Sequence, residues 1–198
     1  MLFSERNLIL KKGTIVDSII TAVPSFTKNR EKKRDPDAHQ TKKGNTWHFA
    51  YKAHIGVDKD SGLAHALEAT SADVNDVTMT TKLLTGEETS AHGDIGYLGA
   101  EKRDDTITKT VEASAVGTNQ PSPVAVKKHS VRFSGQIKRR EREKSSVCAK
   151  VEHVFHGVKG QLRFRKTRYR GMQKQPAKFN VMFALAKRLQ ADRLCLSV

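Results

Sequence analysis

The chain has 198 residues, 37% hydrophobic and 29% charged, which suits one globular domain with a substantial core. Its 36 Lys+Arg against 21 Asp+Glu leave a formal charge of +15, an excess that attracts polyanions such as the phosphate backbone of nucleic acid. Two cysteines exclude a disulfide framework, no apolar run is long enough to span a bilayer, and the start MLFSERNLILKKG lacks a signal peptide's apolar core, so a soluble cytoplasmic protein is expected.

Gly13 to Thr21 (GTIVDSIIT) is rich in β-branched residues and predicts a buried strand with one acid, Asp17, in its middle. Residues 24–46 are polar, basic and broken by proline and glycine, and predict a long solvated loop. From Trp47 to Val57 apolar and polar residues alternate, which predicts a strand. Asp58 to Gly62 then forms a turn, with Gly62 suited to a left-handed position, and Leu63 to Thr70 returns as the hairpin partner. Residues 73–76 offer helix caps before a helical spacing over Val77 to Leu84. Ser90 to Gly99 is short, glycine-rich and carries Asp94, and residues 104–135 read as irregular. Ile137 to about Phe164 predicts a helix whose apolar face is Val147, Val151, Val154, Phe155, Val158 and Leu162. A basic cluster follows, and Gln173 to Leu194 predicts a last helix with Phe179, Met182, Phe183, Leu185, Ala186 and Leu189 as its stripe.

Acids on a basic chain raise the question of metal-dependent chemistry, because Mg²⁺ takes hard oxygen ligands and shares them with substrate phosphate. Asp17 must be paired, hydrogen-bonded or metal-bound if its strand position is buried, and is an ordinary solvated carboxylate if it lies at a strand end. Asp94 in GDIGY has an ordinary turn aspartate as its simple explanation. Glu152 and Lys159 are two turns apart on one helix face, about 10 Å along the axis, and as an isolated pair would be a solvated stripe. His48, His54, His65, His153 and His156 show no zinc spacing. Charge alone would also suit a ribosome-type RNA binder.

Taken in order, GTIVDSIITAVPSFTKN, RDPDAHQTKKGNTWHFAYKAHIGVDKDSGLAHALEATSADVNDVT, LLTGEE, GDIGYLGAEKR, AKVEHVFHGVKGQL and RYRGMQKQPAKFNVMFALA resemble the catalytic half of DDE transposases. The nearest group is insertion-sequence family five, within the superfamily that includes family four. The similarity runs from about residue 13 to 106 and from about 136 to 190.

The resemblance implies an α/β fold of the ribonuclease-H-like kind, a mixed five-stranded sheet flanked by helices. It implies a catalytic domain over residues 13–198, with residues 1–12 a remnant of an amino-terminal region. It assigns the acidic triad to Asp17, Asp94 and Glu152, and a phosphate-contacting lysine to Lys159. Asp58, which also follows a strand, is a lower-ranked rival for the first acid. The implied chemistry is phosphoryl transfer with two Mg²⁺ ions, for which Mn²⁺ can substitute: water cuts at the transposon ends and the freed 3′-hydroxyl attacks target DNA. Lys42, Lys43, Arg163, Arg165, Arg168 and Arg170 would hold DNA phosphates, and a homodimer assembled on DNA is expected, associated with the bacterial nucleoid. Compared with the family pattern, Cys148 replaces an arginine, Ser145 an aromatic residue and Ile19 a threonine, and residues 107–135 diverge. The alternative is a truncated, inactive remnant that only binds DNA.

Overall fold

The computed structural model describes residues 9, 12–25, 27, 30–93, 97 and 146–196. Strand β1 spans Gly13–Ala22, β2 His39–Lys43, β3 Thr46–Asp58 and β4 Ala64–Ser71. A 3₁₀ turn, Asp76–Met79, is capped by Asn75 and runs into the short helix α1, Thr80–Leu83, before β5 at Ser90–His92. Helix α2 occupies 146–156 and widens into a π-helical turn at Gly157–Gln161. A 3₁₀ turn at Met172–Lys174 leads into α3, Gln175–Leu196.

The five strands form one mixed sheet. β1 pairs antiparallel with β3 and parallel with β5, while β3 pairs antiparallel with both β2 and β4. β3 is long enough for all three partners: Ala50 faces Ala22 on one edge and His39 on the other, and from Tyr51 onward β4 takes the place of β2. The expected ribonuclease-H-like sheet with flanking helices is therefore present.

Period-two alternation assigns the two faces. Ile15 and Ile19 of β1, with Tyr51, Ala53, Ile55 and Val57 of β3, pack against Val151, Val154 and Val158 of the α2 segment and Phe179, Phe183 and Ala186 of α3. Phe164 meets Phe179 edge-on, with centroids 5.8 Å apart, as Phe155 meets Phe183 at 6.5 Å, a preferred aromatic geometry. Val16 points the other way, into a smaller cluster with Leu83 and Tyr97. Among the described residues no helix is long and apolar enough to cross a membrane.

Two expectations need correction. The segment 24–46 is not simply a solvated loop, because β2 lies within it. HQTKK has no apolar side chain, and the strand exists through pairing with residues 46–50 of β3. The same segment buries Asp35, whose Oδ2 accepts the Tyr51 hydroxyl at 2.8 Å and the Gly171 N–H at 2.9 Å, while Asp37 accepts the Met172 N–H at 2.8 Å. These carboxylates satisfy donors at the start of the last helical segment, where negative charge is favoured. The α3 stripe is also narrower than expected: Phe179, Phe183 and Ala186 are buried, but Leu185 and Leu189 are exposed. The predicted turn at Asp58–Gly62 forms, with Gly62 at φ 71°. The expectations for residues 104–135, and for the helix before 146, fall outside the described residues.

Candidate active site

A cleft of about 570 Å³ opens where β1 meets α2 and the tip of β2, lined by Asp17, Lys43, Cys148, Glu152, Phe155 and Lys159 among others. Its origin is local. On β1, Asp17 lies between Ile15 and Ile19 on the face that packs against the helices. Its neighbours anchor the strand while Asp17 itself is half-buried, at the margin of the core. Its Oδ1 accepts the N–H of Ser18 at 2.6 Å.

The helical wall has equally simple geometry. Residues 151, 154 and 158 form the core stripe of the α2 segment. Cys148, Glu152, Phe155 and Lys159, spaced four, three and four apart, form an adjoining stripe along the cleft. Lys159 sits in the π-helical turn, a feature frequent at functional sites. Its Nζ donates to the Ile20 carbonyl oxygen at 2.8 Å. Burial, then the nearby charges of Lys43 and Arg165, hold the Lys159 pKa below the ordinary lysine value.

Four sequence-predicted residues thus share one cleft: Asp17, Glu152, Lys159 and Lys43. Asp94 lies outside the described residues. The described strand β5 runs parallel to β1, with Ile15 beside His92. Lys42, Arg163, Arg165 and Arg168 are exposed near this region of the chain but do not line the cleft. Arg165 Nε donates to the Lys159 carbonyl at 3.4 Å. Arg170 is engaged within the protein, with Glu31 at 2.9 Å and the Arg34 carbonyl at 3.0 Å.

Asp58, the rival first acid, has a different setting. It is fully buried at the end of β3, and its Oδ2 accepts the Ser61 N–H at 2.8 Å and the Ser61 hydroxyl at 2.7 Å. The cleft also takes in Ser18 and Phe155, which sequence reasoning did not single out as site residues. The four-three-four helical spacing through Glu152 could have found Phe155. Two positions that differ from the family pattern, Ile19 and Cys148, line the same cleft.

The family model described as the transposase DDE domain matches residues 10–186. The chain belongs to this family. No solved structure matches the chain. This transposase domain belongs to a class of proteins that act on DNA, and its basic charge suits that substrate. The family generally depends on divalent cations. Among the described residues no three His, Cys, Asp or Glu side chains form a metal-binding group, so the donor set to weigh is the carboxylate pair Asp17 and Glu152 of the cleft.

Proposed function

We propose that this chain is the catalytic part of an insertion-sequence transposase of family five, which cuts DNA at the element's ends and joins the freed ends to a target. The observation that carries the proposal is that Asp17 and Glu152, far apart in the sequence, line one cleft together with Lys159. Carboxylates are the hard oxygen donors that Mg²⁺ prefers, and Mn²⁺ can replace it at such donors. Asp94 would complete the set. The resemblance assigns it as the second acid of the triad, in the GDIGY motif. When bound, a pair of such cations supplies an activated water or 3′-hydroxyl and stabilises the leaving oxygen.

The protein's own groups would position the DNA. Lys159 and Lys43 place positive charge on the cleft wall, where a backbone phosphate would sit against the carboxylates. Lys42, Arg163, Arg165 and Arg168 would extend the phosphate track outside it, and Arg170 would act mainly through the segment it holds. Assembly as a homodimer on DNA would allow two ends to be processed together.

The test is nicking and strand transfer on DNA carrying the element's ends, with Mg²⁺ or Mn²⁺, for wild type, Asp17→Asn, Asp94→Asn and Glu152→Gln. Loss of cleavage with retained DNA binding in all three variants is expected. Identical behaviour of wild type and Asp94→Asn would remove the catalytic assignment. Salt-dependent binding without cleavage by the wild type would identify a remnant that only binds DNA.

A further inference from the structure

Trp47 is the chain's single tryptophan, and 64% of it is exposed. Large aromatic side chains are mostly buried in folded proteins, and this one belongs to none of the core clusters among the described residues. Its position is specific. The β1 ladder ends opposite Ala50, with one further bond from the Val23 N–H to the Phe49 carbonyl, so residues 46–48 of β3 continue past it, paired with β2. Trp47 therefore stands on an overhanging hairpin rather than on the body of the sheet.

The hairpin is basic and tightly closed. Lys42 is the cross-strand partner of Trp47, and Lys43 that of Thr46. A two-residue turn, Gly44–Asn45, joins the strands, with Gly44 at φ 60°, the positive value that a two-residue hairpin turn with a leading glycine requires. Lys43 reaches the cleft of Asp17, Glu152 and Lys159, and its charge is felt at Lys159. Trp47 and its cross-strand partner Lys42 share one face of the hairpin, and Lys43 at its tip lines the candidate active site.

We infer that Trp47 is a stacking platform for an unpaired DNA base next to the strand held in the cleft. An indole can stack only on a base face that is uncovered, and inside a duplex both faces of every base are covered by neighbours. A strand end or a melted base pair uncovers one. Base–aromatic stacking is strong and tolerant of base identity, and pairs naturally with lysines on the adjoining backbone. Lys42 and Lys43 supply that charge, on a chain with formal charge +15. The rigid turn lowers the ordering cost of presenting the ring. The hairpin would therefore recognise an opened DNA end by shape, not by sequence, a role that rests on the transposase reading of the cleft and extends it.

Because Trp47 is the sole tryptophan, its emission reports on the site directly in the full chain. Two DNAs of equal length serve as probes: a duplex with a short unpaired 3′ tail, and a covalently closed duplex with no free end. Binding is followed independently by fluorescence anisotropy of a dye on the DNA. The tailed DNA is expected to quench Trp47 emission and the closed duplex to leave it nearly unchanged. Trp47→Ala should weaken the tailed complex about tenfold and the closed one by less than about twofold, and Trp47→Phe should recover most of the difference. DNA that binds by anisotropy without altering Trp47 emission overturns the inference and leaves the transposase reading standing. Equal weakening of both complexes by Trp47→Ala overturns it too. A change in emission with protein concentration alone would assign the hairpin to self-association and overturn it. Absence of binding to either DNA would overturn the inference and the DNA reading together.

Discussion

Lys159 and Ile20 are joined by a hydrogen bond from the lysine Nζ to the strand carbonyl oxygen at 2.8 Å. Ile20 lies three residues beyond Asp17, and Lys159 seven beyond Glu152. The bond therefore ties the strand that bears one acid to the helical turn that follows the other, and fixes the width of the cleft between them. One of the three ammonium donors is committed to this latch.

Replacing Lys159 by methionine keeps the aliphatic stem and removes the latch. Urea unfolding should show a loss of about 1 kcal/mol, the worth of one hydrogen bond. DNA binding measured against salt should become weaker, with the slope of log affinity on log salt reduced by about one, the signature of a lost phosphate contact. Because burial and the charges of Lys43 and Arg165 lower its pKa, the wild-type chain should lose this part of its DNA affinity at a less alkaline pH than an ordinary lysine would allow. That pH dependence should be absent from Lys159→Met.

Asp17→Asn and Glu152→Gln change charge without changing shape. Both should fold with close to wild-type stability, since the substitutions are isosteric and neither side chain is fully buried. Nicking in Mn²⁺ should fall to background in each. Mn²⁺ binding, measured by calorimetry in the absence of DNA, should weaken in both variants, and an unchanged affinity would detach these acids from metal binding.

Asp58 offers the converse case. Its carboxylate accepts two hydrogen bonds from Ser61 and closes the turn between β3 and β4. Asp58→Ala should cost about 2 kcal/mol, the order expected when two part-buried donors of Ser61 lose a buried acceptor. Nicking per folded molecule should stay at the wild-type level. A stable Asp58→Ala protein that cannot cleave DNA would make Asp58 the first acid in place of Asp17.

Much of this arrangement is legible in the sequence where physical period and burial agree. β1, β3 and β4 declare themselves by β-branched content or alternation, and Val151, Val154 and Val158 by helical spacing. β2 does not, because HQTKK has no apolar face and only its pairing with β3 makes it a strand. Nor does the buried Asp35, whose partners Tyr51 and Gly171 are distant in sequence. Leu185 and Leu189 fit the apolar period of α3, yet a helix packed along one narrow face leaves such flanking positions in water. In the sequence, only motif order links Asp17 with Glu152. Their meeting in one cleft depends on the packing of Val151 and Val154 against Ile15 and Ile19, which the sequence suggests only through periodicity.

The buried His54 provides a pH-dependent test of the opposite side of the sheet. It is fully buried, with Nε2 2.8 Å from Thr70 Oγ1 and Nδ1 3.6 Å from Asp76 Oδ1. Lys52 reaches the same Asp76 oxygen at 3.0 Å. Burial is the main influence and pushes the His54 pKa down from 6.5 to about 4; Asp76 opposes this and Lys52 adds to it. The folded state therefore keeps His54 neutral, while the unfolded chain takes up a proton below pH 6.5. Stability from this residue is complete above pH 6.5 and is lost as pH falls towards 4. The full loss should be about 3 kcal/mol, with roughly 2 kcal/mol gone by pH 5. Urea midpoints measured from pH 7.5 to 4.5 should show that decline in the wild type. His54→Gln, which can still reach Thr70 but does not titrate, should start less stable and decline less over the same interval. Parallel pH profiles for the two proteins would show that His54 is not the group responsible.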